Sequence, residues 1–142
     1  MSSKKFFLFG LLLCAMVMAG CSSNTSSSSG FGSGSGFSIN LTASQTVLPQ
    51  GGGTTLVAVV KDAQGNPVND STANAVIYTS SLGATITQQG PGPGNIIGGV
   101  SSATYAAPAA STTATTTNSG VDQVTASYRG AFAFVSIFVF KP

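Results

Sequence analysis

Residues 41–68 read LTASQTVLPQGGGTTLVAVVKDAQGNPV, and their pattern decides the fold class. Leu41 and Ala43, with Ile39 just ahead of them, alternate with Asn40, Thr42 and Ser44. That period of two marks a strand with one buried face. Pro49-Gln50-Gly51-Gly52-Gly53 breaks the run. Thr54–Lys61 resumes it, with Leu56, Ala58 and Val60 on one side. Asp62–Pro67 then reads as a turn, because Gly65 adopts positive φ without strain and Pro67 halts strand continuation.

The same alternation extends outward. Ala75–Ser80 reads as a third strand, Ala84–Thr87 as a short fourth and Val100–Ala106 as a fifth. Gly90-Pro91-Gly92-Pro93-Gly94 reads only as loop, and the Thr/Ser/Ala-rich stretch 109–120 has no clear assignment. Val121–Arg129 and Ala131–Phe140 form a last pair around Arg129-Gly130. No stretch sustains a helical period. About seven short antiparallel strands predict an all-β chain, a β-sandwich of the immunoglobulin-like kind, over residues 38–142.

Ahead of it, residues 22–36 (SSNTSSSSGFGSGSG) are low-complexity Ser/Gly. Such a composition buries too little apolar surface to form a core and reads as a flexible linker, so residues 21–37 are assigned to a tether. Lys4 and Lys5 precede an apolar run, Phe6–Gly20, that ends in Met18-Ala19-Gly20-Cys21. A basic start, a short apolar stretch and small residues at a cleavage point predict a secretory signal peptide over residues 1–20. A membrane-spanning helix needs about 20 apolar residues, more than this run supplies.

Composition excludes several functions. The net charge of +2 comes from five basic residues (Lys4, Lys5, Lys61, Arg129 and Lys141) against Asp62, Asp70 and Asp122. Without residues 1–20, three of each sign remain, and no basic patch is left to displace the counterions of a nucleic acid. The chain has no His, Glu or Trp. It therefore lacks the commonest general base and the commonest metal ligand. Cys14 falls in the signal segment, which leaves Cys21 without a partner for a disulfide or a zinc site. The expectation is a non-enzymatic protein with no catalytic residue, cofactor or metal.

Two resemblances sharpen this. Met18-Ala19-Gly20-Cys21 resembles the lipobox of bacterial lipoproteins, which implies acylation of Cys21 and attachment to a membrane by lipid. Ser22 behind it resembles the outer-membrane sorting pattern, which implies a domain facing the periplasm or the exterior. The 41–68 stretch resembles the opening of bacterial immunoglobulin-like domains of the invasin/intimin group. Asp62, Gly65, Asn66, Pro67 and Val68 match the turn of that family. AVIYTSSLGATI (75–86), ATYAAP (103–108) and GVDQVTASY (120–128) resemble later strands of related modules, whereas 88–99 and 109–119 depart from the pattern. The resemblance implies an adhesive or structural envelope module that engages an envelope protein or a second copy. The competing expectation is a cell-surface module that binds polysaccharide or another ligand.

Individual residues admit plainer readings. Asp62, Gln64 and Asn66 have the spacing that opens a calcium loop, but the distal Glu of such a loop is impossible here, and turn chemistry explains them better. A Ser–Lys dyad would need Lys61 or Lys141, each at a strand end. Tyr78, Tyr105 and Tyr128 are expected at the core with their hydroxyls partnered. The last strand is the exception. One face carries Phe132, Phe134, Ser136, Phe138 and Phe140, and the other carries Ala131, Ala133, Val135, Ile137 and Val139. An antiparallel sandwich strand normally wets one face. Three arrangements satisfy this sequence: a strand covered on both sides, a face packed on a neighbouring subunit, or a membrane-facing patch. The four phenylalanines are the candidate interface, on a strand expected at a sheet edge.

Overall fold

The computed structural model describes residues 36–90, 95–109 and 119–142, together with the backbone of 27–30. The described residues form nine strands and no helix. In chain order they are β1 (Ser27–Gly30), β2 (Phe37–Ala43), β3 (Val47–Pro49), β4 (Gly53–Asp62), β5 (Ile77–Ser80), β6 (Thr85–Gln89), β7 (Val100–Ala106), β8 (Gly120–Tyr128) and β9 (Ala131–Phe140). They build a five-stranded sheet, β1-β2-β4-β7-β6, and a four-stranded sheet, β3-β9-β8-β5. The fold is all-β and sandwich-like.

Alternation along each strand sets what is buried. Ile39, Leu41 and Ala43 of β2, Leu56, Ala58 and Val60 of β4, and Ala103 and Tyr105 of β7 point inward from the first sheet. Val124, Ala126 and Tyr128 of β8 and all five odd-numbered residues of β9 point inward from the second. They form one core. Each fully buried Leu, Ile or Val stabilises the fold by roughly 1.5–3 kcal/mol relative to exposure. The β8–β9 hairpin closes through Arg129 and Gly130, both at positive φ (45° and 88°), the geometry of a two-residue turn whose twist matches its strands.

Three elements depart from the sequence-based expectation of about seven strands. β3 pairs in parallel with the end of β9, Val47 opposite Phe138 and Pro49 opposite Phe140. The Phe138 N–H donates to the Thr46 carbonyl (2.7 Å) and the Gln50 N–H to that of Phe140 (2.9 Å). Three residues are too few to show a period, and Pro49 is tolerated because β3 is an edge strand. β3 also covers the end of β9 from Phe138 to Phe140, which corrects its expected place at a sheet edge over those residues. Within the stretch read as linker, Ser27–Gly30 pairs with β2 from Thr42 to Ile39. Main-chain groups alone form that ladder, so Ser/Gly composition does not forbid it. The third expected strand begins later, at Ile77, because the Ala75 N–H is drawn back to the Thr72 carbonyl in a turn (3.2 Å).

One glycine holds the 67–70 and 96–99 segments against β4. Gly99 has φ +81°, accepts from the Val60 N–H (2.7 Å) and donates to the Val68 carbonyl (2.8 Å). A Cβ there would sit 2.8 Å from Cβ of Pro67 and 3.1 Å from the Val60 oxygen. Gly99→Ala is expected to destabilise the domain by about 1–3 kcal/mol, through positive-φ strain and backbone displacement. Gly65→Ala, also at positive φ but with open space around its Cβ, is expected to lose only the strain part. Urea melts of the two variants measure the difference.

Candidate interaction face

Because β9 alternates strictly, burying its odd-numbered residues turns every even-numbered one outward. Phe132, Phe134, Phe138 and Phe140 are 46, 38, 49 and 37% exposed, and Ser136 lies exposed between them. Strand register extends this row sideways. Val47 of β3, Phe138 of β9 and Val121 of β8 stand abreast, and all three are exposed. Phe132 pairs with Ser127, which in turn pairs with the exposed Ile77 of β5. Phe134 lies beside Thr125 and Thr79, and Ser136 beside Gln123. With phenylalanines presenting 150–250 Å² each, the observed exposures leave roughly 350 Å² of aromatic surface. The aliphatic neighbours take the patch to the upper end of what a monomer ordinarily shows.

Among the described residues no charged side chain stands on this face between Arg129 and Lys141, which bound β9 at its two ends. The outward positions of the sheet are Phe, Val, Ile, Pro, Ser, Thr and Gln. The three aspartates are committed elsewhere. Asp122 points inward from β8 and is fully buried. Its carboxylate accepts from Ser80 Oγ (2.6 Å), Tyr105 OH (2.7 Å), the Ser81 N–H (2.8 Å), Ser81 Oγ (3.0 Å) and the Leu82 N–H (3.1 Å). Burial opposes its ionisation, but the hydrogen bonds, led by those from Ser80 and Tyr105, outweigh it and hold its pKa below the usual value. Tyr105 responds in the opposite direction: burial first, and then its bond to the Asp122 carboxylate, push the phenol well above its ordinary value. Tyr105 is on β7 and Asp122 on β8, so this bond ties one sheet to the other. Tyr78 makes a second tie, donating from β5 to the Ser101 carbonyl of β7 (3.1 Å).

Asp70 organises one end of the sandwich. It accepts from the Thr72 N–H (2.9 Å), Tyr128 OH (3.0 Å) and Arg129 Nη2 (3.1 Å). Hydrogen bonding to Thr72, then to Tyr128, and the nearby guanidinium pull its pKa down to about 2. Arg129 also lies over the rings of Tyr128 (5.3 Å) and Phe37 (5.8 Å), which themselves meet edge to face at 5.1 Å. Asp62 closes its own turn. Its Oδ1 accepts from the N–H groups of Asn66 (2.8 Å) and Gln64 (2.9 Å), and its Oδ2 from the Asn66 side chain (3.2 Å). Both carboxylate oxygens of the calcium-loop candidate thus serve the turn. Among the described residues no group of three His, Cys, Asp or Glu is placed to hold a metal.

The three tyrosines lie where the sequence placed them, with Tyr105 and Tyr128 buried, Tyr78 half-buried and every hydroxyl partnered. The four phenylalanines share one exposed face, as their spacing predicts. Lys61 and Lys141 lie exposed at the ends of β4 and β9. Cys21, residues 1–20 and most of the stretch read as a linker fall outside the described residues. Among the described residues no helix is long and apolar enough to cross a membrane. Sequence reasoning missed the role of Asp122, although one signal was present: it occupies an inward position of β8, in phase with Val124, Ala126 and Tyr128. It also missed Val47, Val121 and Ile77, whose outward direction follows only from register. No protein-family model matches the chain, and no curated protein matches it.

Proposed function

We propose that this chain is a lipid-anchored module of the bacterial cell envelope, attached to the outer membrane through Cys21. Its immunoglobulin-like domain has a structural or adhesive role exercised through protein contact. The observation that carries the interaction role is the uncharged phenylalanine face of β9, uncovered on a strand whose other face fills the core. Strand order supports the immunoglobulin-like assignment. β2-β4-β7-β6 opposite β9-β8-β5 corresponds to the two sheets of that fold, with β3 continuing β2 across to the second sheet and β1 as an addition. Commitment of all three aspartates to structural bonds supports a non-enzymatic role. The anchor is supported by the lipobox-like run 18–21 and the short apolar segment ahead of it.

Membrane fractionation and intact-mass measurement of the wild type and of Cys21→Ser test the anchor. The wild type is expected in the membrane fraction with an acyl mass on Cys21. The variant is expected in the soluble fraction, or retained with residues 1–20 uncleaved. Wild-type protein lacking any acyl mass on Cys21 rules the anchor out.

A further inference from the structure

We propose that the phenylalanine face is the interface of a symmetric dimer, and that its occupant is the same face of a second copy. This rests on reading the face as an interaction surface and does not depend on acylation of Cys21. Three observations favour a second copy over other occupants.

The first is symmetry. The outward row of β9 reads Phe132, Phe134, Ser136, Phe138, Phe140. It is the same in both directions, with its one small side chain at the midpoint. A copy turned end over end about a two-fold axis near Ser136 meets an identical profile. A two-fold interface uses the same patch on both copies, so here phenylalanine meets phenylalanine along the row. In that arrangement Ser136 faces Ser136 of the second copy, and Phe134 faces its Phe138.

The second is charge. The face carries none, so two copies meet without like-charge repulsion. A strongly charged partner would find nothing on it to pair with. The polar members of the face, Gln123, Thr125, Ser127 and Thr79, are neutral hydrogen-bonding groups suited to pairing with themselves.

The third is area. At about 3.4 Å per residue along a strand and 4.8 Å between strands, β8 and β9 with β3 beside one end and β5 beside the other give a face of about 30 by 10 Å. Side-chain relief takes it to roughly 600–800 Å² of accessible surface. A stable interface of standard size buries about 800 Å² per partner. Two sandwiches stacked at the usual spacing of about 10 Å bring the two phenylalanine rows into contact.

Photo-crosslinking of the full chain in cells tests this. Benzoylphenylalanine introduced at Phe134 or at Phe138 preserves the ring and reports its neighbour. An adduct of about twice the 14.1 kDa chain mass, less any cleaved segment, is expected at both positions. None is expected from Thr55, exposed on the other sheet. Ser136→Arg and Ser136→Asp, each expressed alone, place like charges across the two-fold axis and are expected to lower the adduct about ten-fold or more. Co-expression of the two variants with different tags restores an adduct that carries both tags, which misfolding would not allow. Adducts to lipid or to another protein, no adduct at all, or no restoration in the mixed pair each overturn the proposal. Fractionating the same cells keeps the questions apart. A dimer in the soluble fraction removes the lipid anchor alone, and a membrane-bound chain without the dimer adduct removes the dimer alone.

Discussion

Asp122→Ala is expected to lower the unfolding free energy by about 3–5 kcal/mol, a large part of the 5–15 kcal/mol available to a domain. The loss is large because this one buried carboxylate accepts from five donors, the Tyr105 hydroxyl in the core among them. Without it, the Tyr105 hydroxyl is left buried with no acceptor, and the corner at Ser80–Leu82 loses what holds it against β8. Tyr105→Phe removes only one of these bonds and is expected to cost less, about 1.5–3 kcal/mol, as for a hydrogen bond to a charged group. A double-mutant cycle of Tyr105→Phe with Asp122→Asn, read from urea melts, isolates the coupling between the sheets. The same network fixes an acid limit. The folded-state pKa of Asp122 lies below its unfolded value. Its stabilisation is therefore complete above the unfolded pKa, near 3.9, and is lost as pH falls through the folded pKa. Asp70, lowered to about 2, adds to the loss over the same range. Stability level from neutral pH down to about 5 and falling below 4 is expected for the wild type, with a smaller fall in Asp122→Asn, where the Asp70 part remains. A wild-type stability independent of pH between 5 and 2 would contradict the network.

The sequence makes some of this legible and not the rest, for definite reasons. β2, β4, β8 and β9 are long enough to show several alternations, and each strand's inner face follows from its small and branched apolar residues. The Arg129-Gly130 turn is legible because two residues between alternating runs leave few ways to reverse the chain. β3 is not legible, since a three-residue strand containing Pro49 owes its place to hydrogen bonds with β9. Nor is β1, whose Ser/Gly composition carries no side-chain preference and whose pairing uses main-chain groups that every residue has. The candidate face is half legible. The four phenylalanines stand out along β9, whereas Val47, Val121 and Ile77 join them only through register with neighbouring strands. Asp122 is legible in position and not in purpose. Its partners Ser80, Ser81 and Tyr105 are 17 to 42 residues away, and only the two-sheet packing gathers them.

Neighbouring residues of β9 should respond to truncation in opposite ways, and this contrast decides which face the strand buries. Ile137 is fully buried among the inward residues of both sheets, and Phe138, the next residue, is about half exposed. Ile137→Ala removes three carbons from a filled core and leaves a cavity. It is expected to destabilise by about 2–5 kcal/mol, as for other large-to-small core substitutions. A phenylalanine buried to the same degree would lose about 3–5 kcal/mol on truncation to alanine. Phe138→Ala, in the arrangement seen here, gives up only partial contacts with Val47 and Val121 and is expected to lose less than about 1 kcal/mol as a monomer. Side-chain size alone would rank the two substitutions the other way, because the phenylalanine is the larger apolar group. Geometry reverses that order, since the energy follows the surface removed from water and not the apolar character of the side chain. Chemical denaturation of both variants under conditions where the chain is monomeric gives the comparison. If Phe138→Ala proves as damaging as Ile137→Ala, the outward face of β9 is covered within a single copy, and neither the exposed phenylalanine row nor an interface built on it survives.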